Sequence, residues 1–354
     1  MTSEVQSLLR ARNAAFKTKD NVLYSVARAD LRRGIKGAKE AYKRKVESHL
    51  TNNNPRQVWQ GLKHLTNYKS SPSVTISANA SLAEDLNHFF ARFEATRPNT
   101  DMLTPPTSSQ HTLTIQEHQV SRVFRSVNTR KATGPDGVPG EVIKACADQL
   151  AVVFTKIFNL SLTHAIVPPC LKSATIIPVP KNSTINNLSD YRPIALTPVV
   201  AKCFERLMTH HIKECLPSTF DPFQFAYKAN RSTDDAISTA LHTALSHLEH
   251  PGTSVRMLFV EYCSAFNTII PDILVCKLAA LDFPPATCAW IKDFLTNRPQ
   301  SVKIGTHSSS TLMLSTGSPQ GCLLSPLLYA IYTHDCTPTH PTNTIVKFAD
   351  DDNF

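Results

Sequence analysis

The chain has 354 residues, of which 42% are hydrophobic and 18% charged, a composition that supports a sizeable packed core. It contains no apolar run long enough to cross a bilayer, and its first residues, MTSEVQSLLR, lack the apolar core of a signal peptide. These features argue against an integral membrane protein. We expect an intracellular protein that has no membrane partner and resides in the nucleus, the cytoplasm or both.

The nine cysteines are scattered and form neither a CxxC pair nor a Cys/His spacing typical of zinc sites. Their number is odd, and several, such as Cys203 and Cys276, lie within apolar runs. We therefore predict buried free thiols in a reducing compartment rather than a disulfide framework.

The positive charge is concentrated near the start of the chain. Residues 1–70 hold fifteen of the 37 Lys and Arg and five of the 28 Asp and Glu, a net charge of +10. Residues 71–354 hold the remaining 22 basic and 23 acidic residues, a net charge of −1. A basic segment on a balanced body suggests contact with a polyanion, and the alternative is a solvated helix face.

Residues 5–50 are predicted to be helical, because apolar residues recur every three or four positions among Lys and Arg. The TNNNP stretch at 51–55 ends this helix. A second short helix is predicted from Leu82 to Glu94, and residues 96–111 have the composition of a linker. The predicted divisions are a basic helical segment (1–70), a short helix with a Pro/Ser/Thr-rich linker (71–113) and a main domain (114–354).

The main domain is predicted to begin with a helix that Thr114 and Glu117 open as a capping box and that continues to Val127. The sequence TGPDGVPG at 133–140 is too rich in turn formers to be anything but a loop. A further helix is predicted over residues 141–164.

Three strands are predicted in the same domain. Residues 173–181 contain two prolines that cannot donate hydrogen bonds, which predicts a strand at a sheet edge. Residues 255–263 and 345–352 are apolar runs that reach acidic residues. Between the first two of these strands, Ser232 and Asp235 are predicted to open a helix. This mixture of helices and strands predicts an α+β domain.

The two apolar strands would deliver Glu261, Asp350 and Asp351 at or near their ends. Phosphoryl transfer by two divalent cations about 3.5–4 Å apart needs shared carboxylate ligands on rigid elements. The pattern therefore suggests that these three residues bind two Mg²⁺ ions, which Mn²⁺ can replace. An acidic pair by itself is weak evidence, since most such pairs are solvated turns.

Six sequence blocks that follow one another along the chain make the hypothesis specific. They closely resemble the successive blocks of the reverse transcriptase domain of non-LTR (LINE-type) retrotransposons. The blocks are KATGPDGVPGEVIK (131–144), LSDYRPIALTPVVAKCFERL (188–207), FDPFQFAYKANRSTDDAI (220–237), LFVEYCSAFNTI (258–269), STGSPQGCLLSPLLYAIY (315–332) and VKFADD (346–351).

The resemblance implies a right-hand polymerase, of which this sequence would supply the fingers and a partial palm without the thumb. It also implies that the basic helical segment is the part that links an upstream endonuclease to the polymerase. Asp350 and Asp351 match the family's Asp pair. Lys181 and Arg192 match the cations that hold the incoming triphosphate, although Arg192 could instead pair with Asp190.

Further roles follow from the same resemblance. Phe266 matches the aromatic residue that acts as a steric gate against the ribose 2′-hydroxyl, with a plain core Phe as the alternative. Gln320 matches the glutamine beside the incoming nucleotide, and Gly317 and Gly321 would permit close backbone approach. Arg231 is the predicted phosphate contact of the template.

The sequence departs from the family pattern at the first palm carboxylate, where Glu261 replaces an Asp. The extra methylene displaces the carboxylate by on the order of 1 Å, and a misplacement of that size can lower a rate about a hundredfold. Cys263 replaces a small hydroxyl residue, and Asp352 adds a third acid after the Asp pair. We therefore expect the polymerase activity to be weak or absent.

Three functions remain in competition at this point. The first is an RNA-directed DNA polymerase that uses an RNA template, a DNA primer and deoxynucleoside triphosphates. The second is a catalytically dead, nucleic-acid-binding remnant of the same domain. The third, an unrelated metal-dependent nuclease, leaves the SPQG and YRPI blocks unexplained. The sequence names no protein partner.

Overall fold

The computed structural model describes residues 2–18, 20–51, 80–96, 113–181, 184–217, 220–228, 230–262 and 264–348. The chain divides into two compact units, Met1–Val74 and Thr75–Phe354. No helix among these residues is both long enough and apolar enough to cross a membrane.

The first unit contains two helices, α1 (Ser3–Lys17) and α2 (Asn21–Thr51). The prediction of one continuous helix was therefore wrong. The chain turns at Asp20, whose carboxylate accepts hydrogen bonds from the backbone N–H groups of Val22 and Leu23 and so starts a new helix. Gly34 allows α2 to approach the side chain of Leu8 on α1.

The second unit begins with α3 (Ala80–Phe90) and a 3₁₀ turn (Arg92–Thr96), where one helix to Glu94 was predicted. Helix α4 (Glu117–Arg125) follows. The capping box of α4 joins Gln116 and Gln119, so the predicted pair of Thr114 and Glu117 was wrong by two residues. The predicted linker lies almost wholly outside the described residues.

Residues 133–139 form the predicted loop, with Gly137 at a φ of +68°. The helix predicted for 141–164 is divided into α5 (Gly140–Ala145) and α6 (Ala147–His164). Cys146 interrupts it because its backbone leaves the helical region, at φ −101° and ψ 24°.

The remaining elements alternate between strands and helices. They are α7 (Pro169–Lys172), β1 (Ala174–Pro180), β2 (Tyr191–Leu196), α8 (Val199–Cys215), α9 (Thr233–Leu248), α10 (Pro271–Ala280), α11 (Pro285–Leu295), β3 (Arg298–Ile304), β4 (His307–Ser308), β5 (Leu312–Leu314) and α12 (Leu324–Tyr332). The prediction that Ser232 and Asp235 open a helix is confirmed, because each side chain accepts a hydrogen bond from the backbone N–H of the other residue, which forms a capping box at the start of α9.

The sheet has the strand order β2-β1-β3-β4, and β5 also pairs with β3. Strand β1 is thus internal, and the prediction of an edge strand was wrong. The two prolines are tolerated because β3 pairs only with residues Ala174–Ile176, before Pro178 and Pro180 are reached. On the other side Pro178 lies opposite Pro193 of β2.

The main core contains a series of contacting aromatic rings from four helices, α4, α6, α8 and α11, among many aliphatic side chains. The rings of Phe158 and Phe204 stack with centroids 4.2 Å apart, and Trp290 meets Phe204 edge-on at 5.1 Å. The indole N–H of Trp290 donates to the Ser161 hydroxyl at 3.0 Å, so its polar atom is satisfied inside the core. A second cluster packs α3 against the sheet.

Two predicted strands do not form in the described chain. Residues 253–262 have no regular structure, and the side chains of Leu258 and Phe259 are 87% and 88% exposed. The run predicted for 345–352 makes one parallel bridge, between Lys347 and Gln224, and its residues from 349 lie outside the described part. An apolar run forms a strand only where the backbone of a neighbouring strand is available to pair with it.

Candidate active site

A cavity of about 200 Å³ opens where α3, the end of β1, the start of β2, Glu261 and residues 264–267 come together. Its walls include five side chains singled out from the sequence, which are Lys181, Arg192, Glu261, Phe266 and Gln320. These residues come from separate segments of the chain, so the tertiary structure alone brings them together.

The hairpin of β1 and β2 places the two predicted triphosphate ligands. The backbone N–H of Lys181 donates to the carbonyl of Asp190 at 2.8 Å, and Arg192 lies opposite Val179 in the ladder. The Asp190 carboxylate accepts hydrogen bonds from the N–H groups of Asn186 and Asn187, which lower its pKa. Asp190 therefore closes the hairpin that holds both cations at one end of the sheet.

Phe266 lies on the 3₁₀ turn Ala265–Thr268. The residue before this turn, Ser264, has a left-handed backbone with a φ of 59°. The ring of Phe266 is buried and lies 5.5 Å from the ring of Tyr329 on α12. The same residue lines the cavity. Phe266 is thus both a core residue and a wall of the site, so the two readings of the sequence are compatible.

The loop that carries Gln320 is fastened to this turn by backbone hydrogen bonds. Gly317 donates to the carbonyl of Ile269 and Ser318 to that of Phe266, each at 2.7 Å. Gly317 has a φ of +73°, and a Cβ there would lie 2.7 Å from the Cα of Asn267. Only glycine fits so close to the Phe266 turn.

The other end of the loop is fastened to β2. The carbonyl of Gln320 accepts from the N–H of Ala195 at 2.8 Å. Gly321 has a φ of +109°, and a Cβ there would lie 3.2 Å from the carbonyl oxygen of Ala195. Gly321 therefore contributes a close backbone approach to the strand rather than a wall of the cavity, while Gln320 itself lines the cavity.

Two charged residues that we did not predict hold the start of the loop. Glu94 accepts hydrogen bonds from the backbone N–H groups of Ser315 and Thr316 at 2.6 and 2.5 Å. Arg298 donates to the carbonyls of Thr316 and Gly317 at 2.6 and 3.0 Å. Arg298 is buried, and this burial lowers its pKa to about 10.

A third cation, Arg92, also lines the cavity and was missed in the sequence. Its guanidinium lies 3.9 Å from the ring centroid of Phe89 and 4.3 Å from that of Phe93. It donates to the carbonyl of Phe89 at 2.7 Å, and partial burial lowers its pKa. The signal available beforehand was an arginine at the end of the apolar face of α3.

Of the three predicted metal ligands, the structure describes Glu261 alone. Glu261 lines the cavity and is exposed, whereas Asp350 and Asp351 lie outside the described residues. Among the residues that are described, no three His, Cys, Asp or Glu side chains cluster as a metal site would require. The two-metal site therefore stays a prediction.

Arg231 is not among the residues that line the cavity. Its guanidinium lies 5.1 Å from the ring centroid of Phe225, just before the N-terminus of α9. The structure thus separates the predicted template contact from the predicted nucleotide ligands.

Residues 179–353 match the family model described as reverse transcriptase (RNA-dependent DNA polymerase). This range contains the five cavity residues that were singled out from the sequence, from Lys181 to Gln320. The chain carries a LINE-type reverse transcriptase domain. The resemblance inferred from the six sequence blocks is therefore confirmed.

Individual relatives give the same assignment. The chain is 30% identical over 241 residues to the RNA-directed DNA polymerase from mobile element jockey of Drosophila melanogaster, an alignment that covers 67% of this chain and 26% of the relative. It is 28% identical over 226 residues to the jockey polymerase of Drosophila funebris, with coverages of 63% and 24%. It is 26% identical over 253 residues to a "probable RNA-directed DNA polymerase from transposon BS" of Drosophila melanogaster, with coverages of 70% and 28%.

The alignments span about a quarter of the length of these relatives. The reverse transcriptase domain is therefore assigned from matched residues, while the activity, substrates and partners of a whole protein are matters for a proposal.

Proposed function

We propose that the second unit contains fingers and part of the palm of an RNA-directed DNA polymerase. It would add deoxynucleotides to the 3′-hydroxyl of a DNA primer along an RNA template. The observation that carries the proposal is the cavity of about 200 Å³ into which Lys181, Arg192, Glu261, Phe266 and Gln320 converge. A site built for a nucleotide needs cations for phosphate, a wall for the sugar and a carboxylate for metal.

Lys181 and Arg192 would bind the triphosphate of the incoming nucleotide. The planar guanidinium of Arg192 can hold two phosphate oxygens at once, and the ammonium of Lys181 adds a point charge. The ring of Phe266 would leave no room for a ribose 2′-hydroxyl and thereby select deoxynucleotides. Gln320 would lie beside the bound nucleotide, at a position that the backbone hydrogen bonds of its loop define.

Glu261, Asp350 and Asp351 would hold two Mg²⁺ ions, because carboxylate oxygens are the ligands that this hard cation prefers. When bound, such a pair of ions activates the primer 3′-hydroxyl and neutralises the charge on the leaving pyrophosphate. The longer side chain of Glu261 would place its oxygens about 1 Å from the position that an aspartate would give them, which slows the reaction.

The nucleic acid would be bound outside the cavity. Arg231 would contact a phosphate of the template, and the basic helices α1 and α2 would contact further phosphates of the RNA. These contacts carry no sequence preference, because Lys and Arg would bind the backbone of the nucleic acid rather than its bases.

Primer extension on an RNA template with Mg²⁺ tests the proposal. We expect slow extension by the natural chain, extension about a hundredfold faster with Glu261→Asp, and none with Asp350→Asn. Glu214→Asp is the matched control, because Glu214 is an exposed residue of α8 whose carboxylate pairs with His210 of the same helix. Extension that persists in Asp350→Asn would contradict the proposed role of the carboxylates.

A second candidate is a catalytically dead, nucleic-acid-binding form of the same domain, which no longer adds nucleotides to a primer. The exposed position of Glu261, on a segment that forms no strand, favours it. This candidate predicts RNA binding without extension in every variant, including Glu261→Asp, and with either Mg²⁺ or Mn²⁺.

A further inference from the structure

Glu205 of α8 is a buried carboxylate that the proposed reaction does not use. It is only 2% exposed, and it accepts hydrogen bonds from the backbone N–H groups of Leu323 at 2.6 Å and Leu324 at 3.2 Å. Leu323 immediately precedes α12 and Leu324 is its first residue, directly after the loop that carries Gln320. A negative group at this end of a helix also interacts favourably with the helix dipole.

No ion pair among the described residues includes Glu205, so backbone N–H groups rather than a cation hold its carboxylate. The other polar groups that face it are the ammonium of Lys202, one turn earlier on α8, and the thiol of Cys322. Burying a carboxylate in this way costs free energy that a leucine at the same place would not cost. A contribution beyond packing is therefore to be expected from it.

Hydrogen bonds within the loop connect the start of α12, which Glu205 contacts, to the residues next to Gln320. The hydroxyl of Ser325 donates to the carbonyl of Pro319 at 2.7 Å and lies 2.6 Å from the hydroxyl of Ser318. Residues 318–325 thus form a turn that is closed by its own hydrogen bonds. Where the start of α12 is held, the position of Gln320 is held as well.

We infer that Glu205 is a positioning residue, whose carboxylate fixes the start of α12 and through it orients Gln320 toward the nucleotide cavity. Glu94 and Arg298 hold the opposite end of the same loop through Thr316. Charged side chains from three separate elements therefore hold the loop by its backbone, and the side chain of Gln320 remains available to the cavity. The part of this inference that concerns a nucleotide rests on the proposed function.

Two substitutions separate hydrogen bonding from packing. Glu205→Leu keeps most of the volume and removes both acceptors, while Glu205→Gln keeps one carbonyl oxygen that can accept. Glu214→Leu and Glu214→Gln are matched controls, because Glu214 lies on the same helix with an exposed side chain. The measurements are hydrogen exchange of the amides at 319–328, unfolding in urea, and binding of a fluorescent deoxynucleoside triphosphate with Mg²⁺.

We expect Glu205→Leu to lower the exchange protection of residues 319–328 and the affinity for the nucleotide, each by about tenfold or more. The urea midpoint should change little, because removing the buried carboxylate offsets the two N–H groups that lose their acceptor. Glu205→Gln should lose no more than about threefold in the exchange protection of this segment or in nucleotide affinity, since one acceptor remains. Both Glu214 variants should match the natural chain in all three measurements.

Unchanged protection of this loop in Glu205→Leu would overturn the inference, as would a loss spread evenly over the whole second unit. Lower protection with an unchanged nucleotide affinity would also overturn it, because the loop would then not orient Gln320. If the natural chain itself binds no nucleotide, the proposed function fails, and the protection of 319–328 alone then decides the role of Glu205.

Discussion

Single residues shape the site mainly through how closely they allow backbones to approach. Gly317 is the clearest case, because a Cβ there would lie within 2.9 Å of three backbone atoms of Asn267. The neighbouring Phe266 depends on this approach, since its carbonyl accepts the hydrogen bond from Ser318. The steric wall of the cavity and the loop of Gln320 therefore share one contact that a single methyl group would break.

Replacing Gly317 by alanine should lower the free energy of unfolding by roughly 3 kcal/mol, from a left-handed backbone and a steric clash together. Gly137→Ala is the matched control, because Gly137 also has a positive φ, of +68°, but has open space around it. The control should lose only about 1 kcal/mol, the cost of the backbone conformation. Urea denaturation of both variants measures the difference, and equal losses would show that the contact with Asn267 is unimportant.

At the scale of elements, the second unit is joined by charged groups that reach across from one element to the next. Lys172 on α7 donates to the Asp293 carboxylate and to two carbonyls near the end of α11, at 2.9 to 3.1 Å. Glu205 joins α8 to α12 in a similar way. Such groups are costly to bury but, once paired, they fix which ends of the elements meet.

The contact between α8 and α12 predicts a pH dependence of stability. Burial raises the pKa of Glu205 from 4.5 to about 7, so between these pH values the folded state keeps a proton that the unfolded state has lost. The free energy of unfolding should therefore fall as the pH rises through this window, by roughly 3 kcal/mol in total. Above about pH 7 the loss is complete.

Other groups titrate in the same range, and His211, whose pKa is lowered by burial, contributes with the opposite sign. The comparison with Glu205→Gln isolates the carboxyl group. The variant should match the natural chain near pH 4.5 and exceed it in stability at pH 7 and above, as measured by urea denaturation from pH 4 to 8. A stability difference that does not change with pH would mean that Glu205 has an ordinary pKa.

At the scale of the whole molecule, charge and exposed apolar surface are distributed unevenly. The first unit carries the basic excess, on helices whose Lys and Arg side chains are mostly exposed. In the second unit, α9 leaves an apolar face uncovered, formed by Ile237, Leu241, Leu245 and Leu248. Together with the exposed residues 257–262, this face is the surface most prone to association in solution.

The basic excess predicts a salt-dependent affinity for RNA. Replacing four exposed cations of α2 by glutamine should reduce the slope of log K against log salt by about 3, since each lost phosphate contact contributes about 0.7–0.9. The substitutions are Arg32→Gln, Lys36→Gln, Lys39→Gln and Arg44→Gln. The measurement is RNA binding between 50 and 300 mM salt.

The matched control removes the same charge from exposed positions of the second unit, namely Arg130→Gln, Lys131→Gln, Lys144→Gln and Lys156→Gln. If both sets reduced the slope equally, the affinity would follow the net charge of the protein and not the position of α2.

The order of six motif blocks was sufficient to predict the family, because local residue types report directly on chemistry. Local patterns also predicted the loop at 133–140, which the structure shows over 133–139, and the start of α9 at Ser232 and Asp235, because both features involve only neighbouring residues. The strand over 173–181 was predicted correctly, but its place in the sheet was not. Strand β1 is internal because β3 pairs with its first residues, and nothing in the sequence of β1 indicates this pairing.

What only the tertiary structure decided are the contacts between distant segments. Nothing in the local sequence indicates that Glu94 reaches the loop of Gln320 or that Arg298 holds the carbonyl of Gly317, and the only local signal of Arg92 is its place after the apolar face of α3. Glu205 did leave a signal, since it occupies an apolar position of α8 between Ala201, Met208 and Ile212, all of which are buried. Residue types and their spacing determine which chemistry is available, whereas long-range packing determines which groups meet to perform it.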